Sequence, residues 1–419
     1  MRAAAKRGSR RAAVAAALVV GSLVAATACT PDQTSDEPSV EMADAKLSSD
    51  AIDQMTTVVE HGMAAAGAPG AIVAVWVPWA GTWEAGIGTT VPDGDEVTTD
   101  MHFRIGDVTR AMTCDVLYDL VDEGKVSLSD SVSQHVPSAP NLTDVTLQQL
   151  CDGTSGLPDG RSRTLSAALS TPEREWAARE LAATGVATPG RAGVEVADSD
   201  TAYELLGIAL ENITTTSARD LLKNYVFDPL GLENTTLPTD APATAGTPLL
   251  PGLRSSAYDV ENGCVAPHDY SVASASFGFT DSGVTSTIDD LASYGQSLAV
   301  NSVDSTGAFI DRWSNLLPFE DVEYGGGTFV AGSLVGQEGT FPGYLTAVYA
   351  DTSTGLTVAV VLNNSAADQA LVGAVAKELA AIASKLPAAE GFDQPELGLP
   401  WTADQQHAAV EAAAVCPLS

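Results

Sequence analysis

Segments with strand-like composition lie at both ends of this chain, and helical patterns occupy its middle. Residues 71–77 and 82–88 are separated by a glycine turn, which is typical of a β-hairpin. Further strands are predicted at 327–335, 344–351 and 356–363. Because strands from both ends must share one buried layer, this order predicts an α+β fold with a central antiparallel sheet and an inserted helical domain.

Terminal helices are predicted to flank the sheet. Helical spacing at 51–66 ends at a Gly-Ala-Pro-Gly sequence, and 366–385 has the pattern of an amphipathic closing helix. The remaining helices are predicted at 107–124, 146–152, 171–183, 203–212, 217–225 and 285–294. Most of the helical content therefore falls between the two groups of strands.

The predicted domain spans residues 51–385. Its sheet part comprises 51–105 and 275–385, and its helical part comprises 106–274. Residues 386–419 form a C-terminal extension with a helix of its own. A chain of 419 residues is long enough to bury the core that this organisation requires.

The N-terminus has the pattern of a targeting segment. Residues 1–28 form a lipoprotein signal peptide, with a basic start and an apolar run that is short for a membrane-spanning helix. Small residues precede Cys29 as in a bacterial lipobox, so Cys29 is predicted to carry a lipid. Residues 29–50 are rich in Pro, Ser, Asp and Glu and predict a flexible acidic tether. We therefore expect an exported protein, lipid-anchored to the outer face of the bacterial cell membrane.

The charge balance excludes one class of partner. The formal net charge is −34, and a surface this acidic repels nucleic acid phosphates and anionic lipid headgroups. Nucleic acid is therefore not an expected partner, and the simplest interpretation of the charge is solubility. No motif for a cofactor is present.

Four cysteines remain after Cys29, at positions 114, 151, 264 and 416. An even number in an exported protein predicts two disulfides, with three possible connectivities. A zinc site is the alternative, but the sequence contains no Cys-x-x-Cys and no neighbouring histidine to support it.

Three segments have the form of catalytic motifs. The first reads Phe-Arg-Ile-Gly-Asp-Val-Thr-Arg and ends at Arg110. The second reads Asp-Ser-Asp-Thr-Ala-Tyr-Glu-Leu-Leu-Gly and begins at Asp198. The third reads Gly-Gln-Glu-Gly-Thr-Phe-Pro-Gly-Tyr and begins at Gly336.

These segments resemble the motifs of the penicillin-recognising serine hydrolases, a family that includes class C β-lactamases, D-alanyl-D-alanine carboxypeptidases and related esterases. The resemblance covers roughly residues 50–385 and implies the β-lactamase/DD-peptidase-like fold. In that family the first motif is Phe-Arg-Ile-Gly-Ser-x-x-Lys, whose serine attacks the acyl carbon and whose lysine helps to deprotonate it. Asp107 occupies the serine position here, and Arg110 occupies the lysine position.

The other two motifs are altered in the same way. The family carries Tyr-Ser/Ala-Asn, with the tyrosine as general base, where this chain has Asp198, Ser199 and Asp200. It carries Lys/His-Thr/Ser-Gly on the strand beside the acyl group, where Gln337 and Glu338 replace the cation and the hydroxyl. The resemblance also places Cys151 near Cys114, which implies the disulfide pairs 114–151 and 264–416.

The family geometry would bring four carboxylates together, those of Asp107, Asp198, Asp200 and Glu338, with Arg110 as the only cation. Carboxylates this close repel one another, and Ca²⁺ or Mg²⁺ could relieve the repulsion. The favoured interpretation is instead that the acids are solvated in an open groove, with no metal bound, because no dedicated metal-binding loop is present. Asp107 is expected to neutralise the helix N-terminus and to pair with Arg110.

These replacements predict a catalytically inactive protein that acts in binding or scaffolding at the cell envelope. Arginine cannot serve as the base that a hydroxyl nucleophile needs. The partner could be a peptidoglycan peptide or an envelope protein. The alternative is an active serine hydrolase of esterase, carboxypeptidase or β-lactamase type with a displaced nucleophile, for which Ser155 and Ser199 are the candidates.

Overall fold

An eight-stranded antiparallel sheet organises the described part of the protein, which in this computed structural model is residues 40–418 except 240–242, 265, 305, 307, 314 and 321. Its strands are β1 Gly70–Val77, β2 Gly81–Gly88, β7 Leu317–Phe319, β8 Val322–Gly325, β9 Thr328–Ala331, β10 Leu334–Phe341, β11 Tyr344–Asp351 and β12 Thr357–Leu362. Their order in the sheet is β2-β1-β12-β11-β10-β9-β8-β7. Short pairs join β3 Phe103–Arg104 to β6 Thr285–Ser286 and β4 Leu253–Arg254 to β5 His268–Asp269.

The hairpin from the start of the domain lies beside the last strand. In the shared register, Val75 of β1 is opposite Trp83 of β2 on one side and Val358 of β12 on the other. This pairing joins segments from the two ends of the domain in one layer. It confirms the predicted α+β fold with a central antiparallel sheet.

One predicted strand was wrong in its extent. The segment 327–335 contains a hairpin turn, because β9 ends at Ala331 and β10 begins at Leu334. Gly332 has a φ of 62°, a left-handed conformation that glycine adopts at no steric cost and that reverses the chain here. The turn places Gln337 and Glu338 in the middle of β10.

The helices are α1 Ser49–Ala66, α2 Val108–Asp122, α3 Val132–His135, α4 Leu147–Cys151, α5 Arg161–Ser170, α6 Ala178–Ala187, α7 Asp200–Thr214, α8 Ala218–Leu222, α9 Ala257–Glu261, α10 Phe279–Ser282, α11 Ile288–Val300, α12 Gln369–Ala383 and α13 Ala403–Ala413. A π-helical turn at Lys223–Phe227 follows α8. None of the helices in the described part of the chain is long and apolar enough to span a bilayer.

Helices cover both faces of the sheet. Side chains alternate between the faces along each strand, so Val358 and Val360 contact the layer of α1 and α12, whereas Ala359 and Val361 join the core of the helical part. Helix α12 is buried on most of its surface, since α1 and α13 also pack against it. Because of this additional packing, α12 lacks the broad solvent-exposed face that the amphipathic pattern of its sequence predicted.

The helix predicted at 171–183 was also wrong. Helix α5 ends before this segment, at Ser170, and helix α6 begins within it, at Ala178. Thr171 precedes Pro172, and a residue before proline is disfavoured from helical dihedrals; its φ is −136°. The break at Thr171 ends α5 and separates it from α6, so Arg161 lies at the start of a short helix of its own.

The described end of the predicted tether contacts the sheet domain. The Ala43 amide donates to the Pro78 carbonyl at 2.8 Å, and Leu47 is buried. Residues 40–48 are therefore part of the folded unit, which shortens the predicted 29–50 tether at its C-terminal side. The predicted signal peptide 1–28, Cys29 and the rest of the tether lie outside the described residues.

Two disulfides link distant parts of the chain. Cys114 of α2 is bonded to Cys151 at the end of α4, with 5.9 Å between Cα atoms. Cys264 is bonded to Cys416, with 5.8 Å between Cα atoms, and this bond attaches the C-terminal extension. These are the pairs that the family resemblance implied.

Substitution of Gly336 in β10 tests the register of the sheet. A Cβ on Gly336 would lie 2.0 Å from the Val348 carbonyl oxygen. We expect Gly336→Ala to lower the free energy of unfolding by about 1–3 kcal/mol, because the strands must move apart. Gly398→Ala is the matched control, since a Cβ there meets nothing within 4 Å. Urea unfolding of both variants measures the difference, and equal stabilities would show that the register is wrong.

Candidate functional site

The candidate site forms where helix α2 begins against strand β10. Gly106 has a φ of 56°, and a Cβ there would lie 2.6 Å from the Thr340 amide nitrogen. A Cβ on Gly339 would lie 2.4 Å from the Ile105 carbonyl oxygen. Two glycines therefore allow the backbones to approach closely, and this approach places Asp107 beside Thr340.

Asp107 is buried and held on both carboxylate oxygens. Arg161 donates to Oδ1 at 2.8 Å, and the Thr340 backbone N–H donates to Oδ2 at 3.2 Å. Arg110 is the predicted partner, but it is farther away, at 3.6 Å. The side chain makes no capping hydrogen bond to α2. Asp107 thus connects α2 to α5 and β10 rather than capping its own helix.

Arg110 is buried between two further acids. Its Nε donates to Asp281 of α10 at 2.8 Å, and Nη1 donates to Asp198 at 2.5 Å. The guanidinium carbon lies 4.9 Å from the centre of the Tyr203 ring, within range of a cation–π contact. This guanidinium group is therefore surrounded by carboxylates and an aromatic ring.

A second cation, Arg161, completes the site and was missed by the sequence analysis. Besides Asp107, it contacts Asp281, and it lies 3.7 Å from Asp200. It also donates to the Thr340 carbonyl at 3.2 Å. Arg110 is therefore not the only cation. The two guanidinium groups supply positive charge that offsets the repulsion among these carboxylates, which is the role considered above for Ca²⁺ or Mg²⁺.

Asp200 and Ser199 lie at the start of α7. Asp200 Oδ1 accepts hydrogen bonds from the amides of Gly160 at 2.9 Å and Thr201 at 3.1 Å. Ser199 Oγ accepts from the Ala202 amide at 3.2 Å and so caps the helix. The second motif therefore positions the loop before Arg161 as well as its own helix.

Glu338 does not join the site, which corrects the predicted convergence of four carboxylates. Adjacent residues of a strand point to opposite faces. Gln337 faces the site side, where it donates to the Gly327 carbonyl at 2.7 Å. Glu338 faces α12, where it accepts from the Tyr349 hydroxyl at 2.7 Å and pairs with Lys377 at 3.1 Å. Asp281 takes the fourth acidic place instead.

Burial and neighbouring charges shift the pKa values of the acids in the site in different directions. Burial raises the pKa of Asp107 to about 6, although Arg110 and Arg161 oppose the shift. Burial raises the pKa of Asp200 to about 7, assisted by a hydrogen bond with Asp159. Arg110 lowers the pKa of Asp198, whose side chain is still 57% exposed. Asp198 is therefore firmly ionised, whereas the two buried acids resist ionisation.

A cleft opens beside these residues. A depression of about 30 Å³ is lined by Arg110 and Asp198, and a more open one of about 360 Å³ shares Asp198 and Gln369 with it. The larger depression is lined by two arginines, Arg161 and Arg254, and by two acids, Asp198 and Asp368. No lysine or histidine is among the described residues that line either depression.

The two serines considered as displaced nucleophiles have structural roles. Ser155 Oγ accepts from the Leu157 amide at 3.3 Å and holds the turn after α4. Ser199 caps α7. Both are buried, and the hydrogen bonds described for them are to backbone amides, not to a base.

The family assignment follows from a sequence comparison. A family model described as Beta-lactamase matches residues 55–381, most of the chain. The chain belongs to the β-lactamase family. This assignment confirms the predicted resemblance, and it makes the altered motifs departures from the family pattern rather than chance similarities.

Curated relatives match over part of their length. The D-alanyl-D-alanine-carboxypeptidase/endopeptidase AmpH of Escherichia coli K12 is 28% identical over 51% of this chain and 56% of its own. Protein flp of Staphylococcus aureus MW2 is 27% identical over 46% of this chain and 39% of its own. The match thus spans only about half, or less, of the length of these relatives.

Solved structures show the same fold. A D-stereospecific amidohydrolase from Streptomyces sp. superposes with a TM-score of 0.64 at 20% identity, over 74% of this chain and 94% of that one. The D-amino acid amidase from Ochrobactrum anthropi SV3, complexed with L-phenylalanine amide, gives 0.63 at 22% identity, over 77% and 93%. At these identities the superpositions establish the β-lactamase-type fold alone.

The raised pKa of Asp200 predicts a pH dependence. Its ordinary value is 3.8, so the folded protein retains a proton that the unfolded chain releases at lower pH. The stability that Asp200 contributes is therefore present below about pH 4 and is lost as the pH rises through about 7. Asp200→Asn keeps an oxygen acceptor for both amides but cannot ionise.

We expect the free energy of unfolding to fall less steeply between about pH 4 and pH 7 in Asp200→Asn than in the unmodified protein. Urea unfolding at several pH values measures both slopes. Asp53→Asn, at an exposed position of α1, is the control and should leave the slope unchanged. A slope in Asp200→Asn equal to that of the unmodified protein would contradict the raised pKa.

Proposed function

We propose that this member of the β-lactamase family is catalytically inactive and binds a peptide ligand in its cleft. The observation that carries the proposal is the state of Asp107, the residue at the nucleophile position. Its carboxylate is fixed by Arg161 and by the Thr340 amide, and it offers no hydroxyl or thiol. A group held in this way supports the fold of the site rather than an attack on a substrate.

The neighbouring groups also argue against acyl transfer. A hydroxyl nucleophile needs a nearby base that accepts its proton. The acids around Arg110 raise its pKa further above its ordinary value, so it stays protonated. Asp198, at the position of the family's tyrosine, has a lowered pKa and is a correspondingly weak base.

The Thr340 amide supports the same conclusion. Acyl transfer is accelerated by backbone N–H groups that are free to stabilise an oxyanion. Here the Thr340 N–H donates to the Asp107 carboxylate, so a second negative oxygen arriving at that place would meet a like charge. The donor stabilises the resting protein instead of a reaction intermediate.

The cleft suits a short peptide with a free carboxylate. Arg161 and Arg254 line the larger depression, and a carboxylate can accept paired hydrogen bonds from a guanidinium group. Asp198 and Asp368 line the same depression and provide acceptors for amides or an amine. The names of AmpH and of the D-amino acid amidase point to D-amino acid compounds for those proteins. We therefore propose a D-amino-acid-containing peptide of the peptidoglycan type, with an envelope protein as the other possible partner.

The proposed location is the cell envelope, with a lipid on Cys29 as the membrane attachment. The pattern of residues 1–28 supports export. The two disulfides are a second support, because disulfides persist in oxidising compartments. Mass spectrometry of the membrane fraction would detect a diacylglyceryl-modified Cys29.

A labelled penicillin and an activated thioester test for loss of catalysis. We expect no covalent adduct by intact-mass measurement on the unmodified protein. The quadruple variant Asp107→Ser, Arg110→Lys, Asp198→Tyr and Asp200→Asn restores the family residues, and slow acylation should then appear. Recovery should be partial, because catalytic groups act as a unit and Arg161 remains in place.

The matched control carries the same three other substitutions with Asp107→Ala. It should form no adduct, which assigns any acylation to the new serine. A stoichiometric adduct on the unmodified protein would refute the proposal and favour the active hydrolase. Loss of that adduct in Ser155→Ala or Ser199→Ala would identify the displaced nucleophile.

Calorimetric titration with a peptide ending in D-alanyl-D-alanine tests the ligand class. We expect binding that weakens roughly 10- to 100-fold in Arg254→Gln, the range for loss of a hydrogen bond to a charged group. Arg163→Gln is the control, since Arg163 is exposed and does not line the cleft. Equal binding of an L-alanyl-L-alanine peptide, or no binding of either, would exclude the D-amino acid ligand.

A further inference from the structure

Three metal-ligating side chains meet on the face of the sheet that α1, α12 and α13 cover. His61 of α1 and His407 and Glu411 of α13 have candidate ligand atoms within 4.8 Å of one another. The two imidazole rings are stacked, with 4.2 Å between their centres. None of these residues lines the cleft, so the cluster is independent of the proposed function.

A fourth residue orients His407. Its Nδ1 lies 3.1 Å from Glu378 Oε1 of α12, so this nitrogen donates to a buried carboxylate. In the neutral tautomer that carries the proton on Nδ1, Nε2 is the nitrogen with the lone pair, and it lies 4.0 Å from Glu411 Oε1. Metal-binding histidines are commonly held in this manner, with one nitrogen on a carboxylate and the other on the ion.

His61, one of the three clustered residues, has a ring nitrogen without a partner in the described part of the chain. Its Nε2 is inaccessible to solvent and has no hydrogen-bond partner among the described residues. A buried polar atom without a partner costs free energy that a metal–nitrogen bond would recover. This atom is the second, independent feature that indicates a ligand.

We propose that His61, His407 and Glu411 bind a Zn²⁺ ion, with Glu378 as the carboxylate that positions His407. Two imidazole nitrogens and one carboxylate oxygen suit zinc, whereas calcium and magnesium prefer oxygen ligands throughout. Three protein ligands leave one tetrahedral position for water. The site belongs to the fold of the C-terminal extension and has no part in acyl chemistry.

Small side-chain rotations give the required geometry. A tetrahedral ion about 2.1 Å from each ligand holds the ligand atoms roughly 3.4 Å apart, so the cluster must contract by about an ångström. The side chains of His407 and Glu411 are 41% and 55% exposed and have room to move. The stacked rings must also tilt, because each nitrogen lone pair lies in the plane of its ring.

The ion would fasten the last helix to the body of the protein. Helix α13 contacts α12 and α1, and the chain after it is held by backbone hydrogen bonds from Val415 and Cys416 to the Ala65 carbonyl and by the Cys264–Cys416 bond. Coordination from both α1 and α13 would link the first and last helices of the described chain directly. Because zinc would bind the folded protein and not the unfolded chain, it should raise the free energy of unfolding.

Zinc titration of the EDTA-treated full chain tests the proposal. We expect one Zn²⁺ per chain by competition with a chromophoric chelator, a raised Tm, and X-ray absorption showing two imidazole ligands. His407→Gln and Glu411→Gln should each weaken binding at least roughly tenfold and abolish the rise in Tm. Glu378→Gln should weaken binding roughly 10- to 100-fold, the usual effect of losing such a supporting carboxylate.

The matched control is His135→Gln, because His135 also contacts a carboxylate, that of Asp130 at 3.1 Å, but has no third ligand. It should bind zinc as the unmodified protein does. Circular dichroism and Tm in EDTA check that each variant is folded. Absence of stoichiometric zinc binding by the unmodified chain, or binding that survives both His407→Gln and Glu411→Gln, would overturn the proposal.

Discussion

The site depends on the balance between two buried guanidinium groups and the aspartates around them. Arg110 and Arg161 are held by carboxylates from α2, α7, α10 and the loop before α7. Removing one partner from a buried ion pair leaves an uncompensated charge, which costs about 3–5 kcal/mol. The arginines therefore fix the relative positions of helices that are distant in the chain, and the shape of the cleft follows from them.

This arrangement separates the family's fold from the family's chemistry. Gly106 and Gly339 still allow α2 to approach β10, and the sheet, its register and the flanking helices are those of the fold. The side chains directed into the junction are instead charged groups that satisfy one another. The fold thus persists although charged side chains stand at the positions of the family's catalytic residues, because packing and catalysis depend on different residues.

The sequence predicted the positions of the motifs around the site better than the side-chain contacts within it. Motif spacing correctly predicted that Asp107 and Asp198 lie beside Arg110. Glu338 was misplaced, although strand alternation could have shown that it and Gln337 cannot share a face. Arg161 lies outside every motif, so no pattern indicated it. A buried set of acids with a single cation was nevertheless an imbalance that required a second positive charge.

The bond between Asp107 and Arg161 has a consequence for how this protein can change over generations. A single substitution of serine at position 107 would remove one of the carboxylates that hold Arg161 and leave Arg110 unable to accept a proton. Such an intermediate loses stability and still lacks the lysine of the family motif. Restoring the family's motif residues therefore requires several coordinated substitutions, so epistasis within the charge network works against their stepwise return.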